Sequence, residues 1–287
     1  MKLSNILKTT GAFAIIAGTA HAQGFSGTAS FEYDFLSSIS PDGSISSSSY
    51  ESAYEVYNFG LDIDWTSSGG YTYGINALSS YGSKAGAANN DSFSSGTQVD
   101  LRFGKKFGTI YAEAFVGYLD SIGEDNGDNS IRYFGGIAAS YAMSNNMTIT
   151  GQIGYLDGTE GTDDDGMDGL AEAVFASIGT TYNINNSIAV GLNIAGASGV
   201  MDDSTPRNSA DIWEVQANVH YIPAAYPGWD IYATLSYTSY LQGTEEDLLN
   251  DTSVGVGVAY HFGAQGVRSA PALPLAKWVA VTAGPME

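Results

Sequence analysis

The sequence predicts an all-β fold, a transmembrane antiparallel up-and-down β-barrel of twelve strands. Three observations carry that expectation. Segments with a period of two recur along the chain, the connections between them alternate between short and long, and one face of several strands places aromatic residues at its ends and aliphatic ones between.

The period is clearest in TSVGVGVAYHF, residues 252–262, where Val254, Val256, Val258, Tyr260 and Phe262 alternate with Ser253, Gly255, Gly257, Ala259 and His261. Alternate side chains of a strand point to opposite faces, so this stretch has one apolar face and one small or polar face. A soluble sandwich would turn the apolar face inward, whereas a membrane barrel turns it toward lipid. The same template marks strands near residues 25–35, 53–65, 71–80, 97–106, 109–120, 131–143, 147–156, 170–183, 187–197, 210–221, 229–241 and 252–262. Helical periodicity never persists for about three turns.

The even-numbered connections are TSSGG, KFG, SNN, INN and IPAAYPG, built from the Gly, Asn and Pro that turns demand. The odd-numbered ones are longer and polar: SSISPDGSISSSSY, GSKAGAANNDSFSSG, SIGEDNGDN, DGTEGTDDDGMD and GTEEDLLN. A sandwich has no reason to sort its loops by length, but a bacterial barrel has short turns on its periplasmic side and long loops outside. The outward sets are Tyr57, Phe59, Leu61, Ile63, Trp65; Trp213, Val215, Ala217, Val219, Tyr221; and Trp229, Ile231, Ala233, Leu235, Tyr237. Their aromatic ends match two interfacial girdles around a hydrocarbon band.

Composition bounds the rest. With 36 Gly, 19 Tyr, no Cys, 10 Lys plus Arg and 31 Asp plus Glu, the formal charge is −21. Such acidity argues against nucleic acid and against an anionic membrane surface as electrostatic partners. The absence of cysteine excludes disulfides, and no stretch beyond the start approaches the roughly 20 apolar residues of a spanning helix. Residues 1–22 place Lys2 and Lys8 before an apolar run and end in Ala-His-Ala, the pattern of an export signal cleaved after Ala22. The expected organisation is a signal peptide over 1–22, a barrel over 23–262, and a tail over 263–287 that is either periplasmic or a partial plug.

The last strand ends in Gly257-x-x-Tyr260-x-Phe262. This resembles the C-terminal strand signature of bacterial outer-membrane proteins. Together with the leader and acidic loops, the mature chain resembles the Gram-negative porin superfamily, small alphaproteobacterial porins in particular. The resemblance implies residence in the outer membrane, lipid and lipopolysaccharide as neighbours, and a homo-oligomer such as the trimer many porins form. Periodicity alone does not distinguish a lipid-facing leucine from one at a subunit interface. One departure stands out: the aromatic usually closes such chains, yet here GAQGVRSAPALPLAKWVAVTAGPME follows. Trp278 and its apolar neighbours could dock in the lumen or at the lower rim, narrowing a pore.

Alternation assigns Glu32, Asp34, Asp62, Asp64, Asp100, Arg102, Glu113, Arg132, Glu214 and Asp230 to the lumen as candidate pore-lining residues. A charge facing lipid near midplane costs about 2–4 kcal/mol, which forces the same assignment. Asp100, Arg102, Glu113 and Arg132, on adjacent strands, either satisfy one another as an interior ion-pair network or constrict a channel. Gly60, Gly74, Gly104, Gly136, Gly154, Gly191, Gly255 and Gly257 share that face and are expected to leave free passage. Rings of acids concentrate cations and repel anions, so the expected function is passive diffusion of small hydrophilic solutes, preferring cations. The alternative is a closed barrel whose acidic loops contact lipopolysaccharide or other cells. A relative of channels for acidic oligosaccharides would line itself with Arg and Lys, and only Arg102 and Arg132 face inward here.

Catalysis is not expected. The outer-membrane phospholipases need a His and a Ser two apart on one strand, and neither His220 nor His261 has that neighbour. Omptin-type proteases need a His at the extracellular mouth, whereas both of these fall at periplasmic strand ends. No cofactor is implied, and the histidines would need a carboxylate nearby to hold a metal. The acidic stretch DGTEGTDDDGMDG (157–169) lacks EF-hand spacing and reads as a solvated loop or loose divalent bridge to lipopolysaccharide.

Overall fold

The computed structural model describes residues 24–39, 54–84, 95–122, 129–158, 170–201, 208–242 and 248–263, together with Leu273, Leu275 and Trp278. The expected leader, most of the long connections and most of the tail lie outside these residues. The twelve strands are β1 (Phe25–Ile39), β2 (Tyr54–Thr66), β3 (Tyr71–Lys84), β4 (Ser95–Phe107), β5 (Ile110–Ile122), β6 (Asn129–Ala142), β7 (Met147–Gly158), β8 (Leu170–Asn183), β9 (Ile188–Met201), β10 (Asn208–Tyr221), β11 (Trp229–Gln242) and β12 (Leu248–Gly263). Each pairs antiparallel with its chain neighbours, and β1 pairs with β12 from Ser26↔Gly263 to Ile39↔Asn250, closing the barrel.

The strands exceed their expected length mainly at the ends away from the tight turns. There β1, β3 and β9 reach Ile39, Lys84 and Met201, and β12 begins at Leu248. Ladder hydrogen bonds are made by the backbone, so pairing continues into sequence whose side chains no longer alternate. One consequence corrects the loop pattern. The connection over 243–247 is shorter than the one over 222–228 at the short-turn end, so the length contrast is weaker than the sequence implies.

Turn chemistry explains the short end. Gly108, at φ 63°, opens the two-residue hairpin between Phe107 and Ile110, where a side chain would be strained. Between β8 and β9, Asn185 Oδ1 accepts the backbone N–H groups of Ser187 and Ile188 at 2.8 and 2.9 Å, an Asx turn.

Outside, Ile75, Leu101, Val116, Ile137, Ile153 and Ile178 are exposed in a middle band, as lipid-facing side chains must be. Aromatic pairs border that band. Trp65 and Tyr73 stack at 5.3 Å and Trp229 meets Tyr260 at 5.2 Å near the short-turn end, while Trp213 and Tyr237 meet at 5.3 Å toward the other. Lys105 Nζ lies 4.2 Å from the Tyr71 ring centroid at the lower rim, its stem along the apolar surface.

Inside, the glycines do not open a passage. A Cβ on Gly136 would stand 2.7 Å from Phe115 Cζ, one on Gly117 would stand 2.5 Å from Phe134 Cζ, and Phe175 lies over Gly154 in the same way. Tyr111 covers Gly104, Tyr232 covers Gly257, Asp64 covers Gly74, Asn218 covers Gly191, Ser30 covers Gly60, and Asp34 and Thr234 lean over Gly255. Each missing side chain makes room for a neighbour to lie flat on the wall. Free passage was expected because the sequence reveals where a side chain is absent but not which neighbour occupies the space.

Gly136→Ala therefore lowers the unfolding free energy of the refolded barrel by about 1–3 kcal/mol through overpacking. Gly151→Ala, whose Cβ would meet its nearest atom at an ordinary 3.5 Å, is neutral or gains up to about 1 kcal/mol from a less flexible unfolded chain. Urea titration followed by heat-modifiable gel mobility measures both, and equal effects would refute the packing role of Gly136.

Candidate functional site

The ten candidate residues all lie on inner-face positions of the closed sheet, where burial alternates with the exposed outer set. They do not form a uniform ring. From β11 through β12 and β1 to β4 the wall is polar, and from β5 to β10 much of it is apolar.

The polar wall is tied by hydrogen bonds that cross strands. Ser80 donates to Asn58 Oδ1 at 2.7 Å, and Asn58 Nδ2 donates to Asp34 Oδ2 at 2.7 Å, linking β3, β2 and β1. Thr234 of β11 reaches over Gly255 to donate to Glu32 Oε1 at 2.9 Å. Arg102 joins two carboxylates, with Nε 2.7 Å from Asp100 Oδ1 and Nη1 3.1 Å from Asp62 Oδ2. Asn76 Nδ2 donates to the same Asp62 oxygen at 3.3 Å. Glu32, Asp62 and Asp64 are only half-buried, so water reaches this side, whereas Asp34 and Asp100 are buried.

Of the four charges weighed as one network, Asp100 and Arg102 pair directly. Arg102 is held by Asp100 and Asp62. Glu113 Oε2 accepts from Tyr111 Oη at 3.1 Å. Arg132, fully buried, donates from Nε to the Leu170 carbonyl at 2.6 Å across β7.

At the short-turn end Asp230 supplies the carboxylate that sequence reading could not place beside the histidines. Its Oδ2 lies 2.9 Å from His220 Nδ1 and 3.5 Å from His261 Nε2, and His261 Nδ1 lies 2.9 Å from Thr28 Oγ1. The His220 ring also stacks on Tyr232 at 5.3 Å. The cluster stitches β10, β11, β12 and β1 together at the short-turn mouth. Among the described residues no group of three or more His, Cys, Asp or Glu is placed to hold a metal ion.

Sequence reasoning missed the opposite wall. Phe115, Leu119, Phe134, Leu156, Phe175 and Ile212 are buried and face inward from β5, β6, β7, β8 and β10. The Phe115 ring lies 6.3 Å from Phe134 and 6.2 Å from Phe175, centroid to centroid. A signal was present: Phe115-Val116, Tyr118-Leu119, Tyr133-Phe134 and Val174-Phe175 are adjacent apolar pairs inside strands that should alternate. Where alternation fails in favour of apolar residues, both faces of the strand are apolar.

Three tail residues join this wall. Leu273, Leu275 and Trp278 are buried in the same apolar cluster, Leu275 and Trp278 with helical backbone. Trp278 is 0% exposed, and its Nε1 donates to Glu214 Oε2 at 3.3 Å. Thr238 donates to that oxygen at 3.0 Å. Glu214 sits midway along β10, so the chain that leaves the barrel at Gly263 at the short-turn end has an indole seated at mid-lumen. Leu273 and Leu275 border a gap toward Gln98, Asp100 and Arg102 of the polar wall.

No protein-family model matches the chain, and no curated protein matches it in sequence. Solved structures match in shape. An outer-membrane channel from Pseudomonas putida F1 aligns with a TM-score of 0.57 at 12% identity, over 83% of this chain and 95% of that one. A deltaS2S3 mutant of the TodX monoaromatic hydrocarbon channel aligns at 0.53 and 10% identity, over 86% of this chain and 92% of that one. Its deltaS2 mutant aligns at 0.51 and 10%, over 87% and 93%. At such identities the likeness is one of fold: this chain has the fold of outer-membrane β-barrel channels.

Proposed function

We propose that the protein is a porin-like channel of the outer membrane, exported by the leader at residues 1–22, through which small solutes diffuse passively along an acidic wall that prefers cations. The charge of the inner face carries this reading. Of the ten candidate residues, eight are acids, and one of the two arginines, Arg102, is already held by Asp62 and Asp100. An excess of fixed acids at a wetted wall raises local cation concentration and repels anions. The acidic connection at 157–169 makes lipopolysaccharide, bridged through divalent cations, the surface partner.

Burial of Trp278 favours a second reading, in which the tail closes the lumen and the barrel acts through its surface loops. The two differ in conductance. In a planar bilayer under a KCl gradient, the channel reading expects small steps with a reversal potential of cation-selective sign. A chain stopped after Gly263 gives steps several-fold larger. A folded, electrically silent protein in both forms would leave only the closed barrel.

Selectivity supplies a separate check. Asp62 is half-buried and holds Arg102 and Asn76 through one oxygen. Asp62→Asn keeps an acceptor while removing a charge, so the reversal potential moves toward zero with the barrel still folded. An unchanged potential would exclude Asp62 from the permeation path.

A further inference from the structure

The indole of Trp278 marks a binding site whose walls belong to the barrel. Phe115, Phe134 and Phe175 lie on glycines of neighbouring strands and form an aromatic floor in the lumen. Glu214, only 3% exposed, presents Oε2 beside that apolar cluster and takes an N–H from the seated ring at 3.3 Å. The recognition chemistry is a flat aromatic body on apolar side chains with a nitrogen donor aimed at a buried carboxylate. Resting on the channel reading, we infer that this is the solute site, that the tail occupies it as a tethered surrogate, and that its free ligands are small arylalkyl amines.

An ammonium fits the position better than the indole does. Its hydrogen bond to a carboxylate is charge-assisted, roughly twice as strong as one between neutral partners. The half-buried Glu32, Asp62 and Asp64 of the facing wall would raise the local concentration of such a cation. An anion of the same shape is repelled by both walls, and a purely apolar ring forgoes the bond to Glu214.

Fluorine NMR of the full chain, refolded in detergent with 5-fluorotryptophan, tests this directly. The chain has four tryptophans, and Trp278→Phe identifies the buried one. Tryptamine should shift the Trp278 signal toward that of a solvent-exposed indole while Trp65, Trp213 and Trp229 stay put. Indole-3-propionate should need at least tenfold more ligand for the same shift, and Glu214→Gln should shrink that gap below threefold. A Trp278 signal unmoved by tryptamine, or equal responses to amine and acid, overturns the inference. If Glu214→Gln does not refold, the ratio on the unsubstituted chain decides alone. The readout needs no current: a silent barrel that exchanges Trp278 for tryptamine removes the channel reading only, and a conducting barrel that ignores tryptamine removes this one only.

Discussion

Within hydrocarbon every backbone N–H and C=O must find its partner inside the protein, and the pairing of β1 with β12 is the contact on which everything else rests. An open sheet would expose two unpaired edges to lipid. Closure also fixes side-chain parity: once the ring is complete, each strand has one face toward lipid and one toward a confined interior. The acids then have a single acceptable side. The small face of β12 answers to the same constraint, since Gly255 and Gly257 lie where Asp34, Thr234 and Tyr232 lean across from the flanking strands.

Confinement makes the interior a packing problem. Twelve strands enclose more space than eight, and side chains from the wall alone must either fill it or leave it wet. Here the two halves solve it differently. The polar half is held by cross-strand hydrogen bonds with half-buried carboxylates, and the apolar half is paved by rings on glycine and then covered by Leu273, Leu275 and Trp278. Bare, that half would present phenylalanines to lumenal water, so the tail's docking is driven by the same burial that drives any core.

How much of this was legible depended on whether the signal was local. Strand count, strand centres and the outward band follow from period-two alternation, which is a property of consecutive residues. Strand ends did not follow, because β12 starts at Leu248 in sequence that alternation marks as loop. Inner-face positions of the ten charged residues also follow from parity. Their partners do not, since Asp62 meets Arg102 and Asp230 meets His220 and His261 only once barrel register sets strands side by side. The apolar wall was written in adjacent pairs such as Val174-Phe175, but a search for polar lumenal residues passes over them. Trp278 was legible as an oddity beyond Phe262, whereas its hydrogen bond to Glu214 is a relation across 64 positions that only the fold creates.

The tether determines what such a plug can do. A ligand segment joined to its site by a short flexible linker competes at an effective concentration in the millimolar range. Leu273 lies ten positions beyond the barrel's last strand residue, Gly263, so the tail and the site share one chain. On the channel reading proposed above, a free solute meets the site already occupied, and its apparent affinity falls by the fraction of time the indole is away. Transport through such a lumen cannot rest on tight capture, because a solute that bound tightly enough to evict the tail at low concentration would also leave slowly. On that reading the arrangement suits a solute that arrives at high local concentration along an acidic wall, displaces the indole briefly, and is displaced by it in turn. On that reading the tail is a resident competitor that narrows the lumen until a cationic solute displaces it.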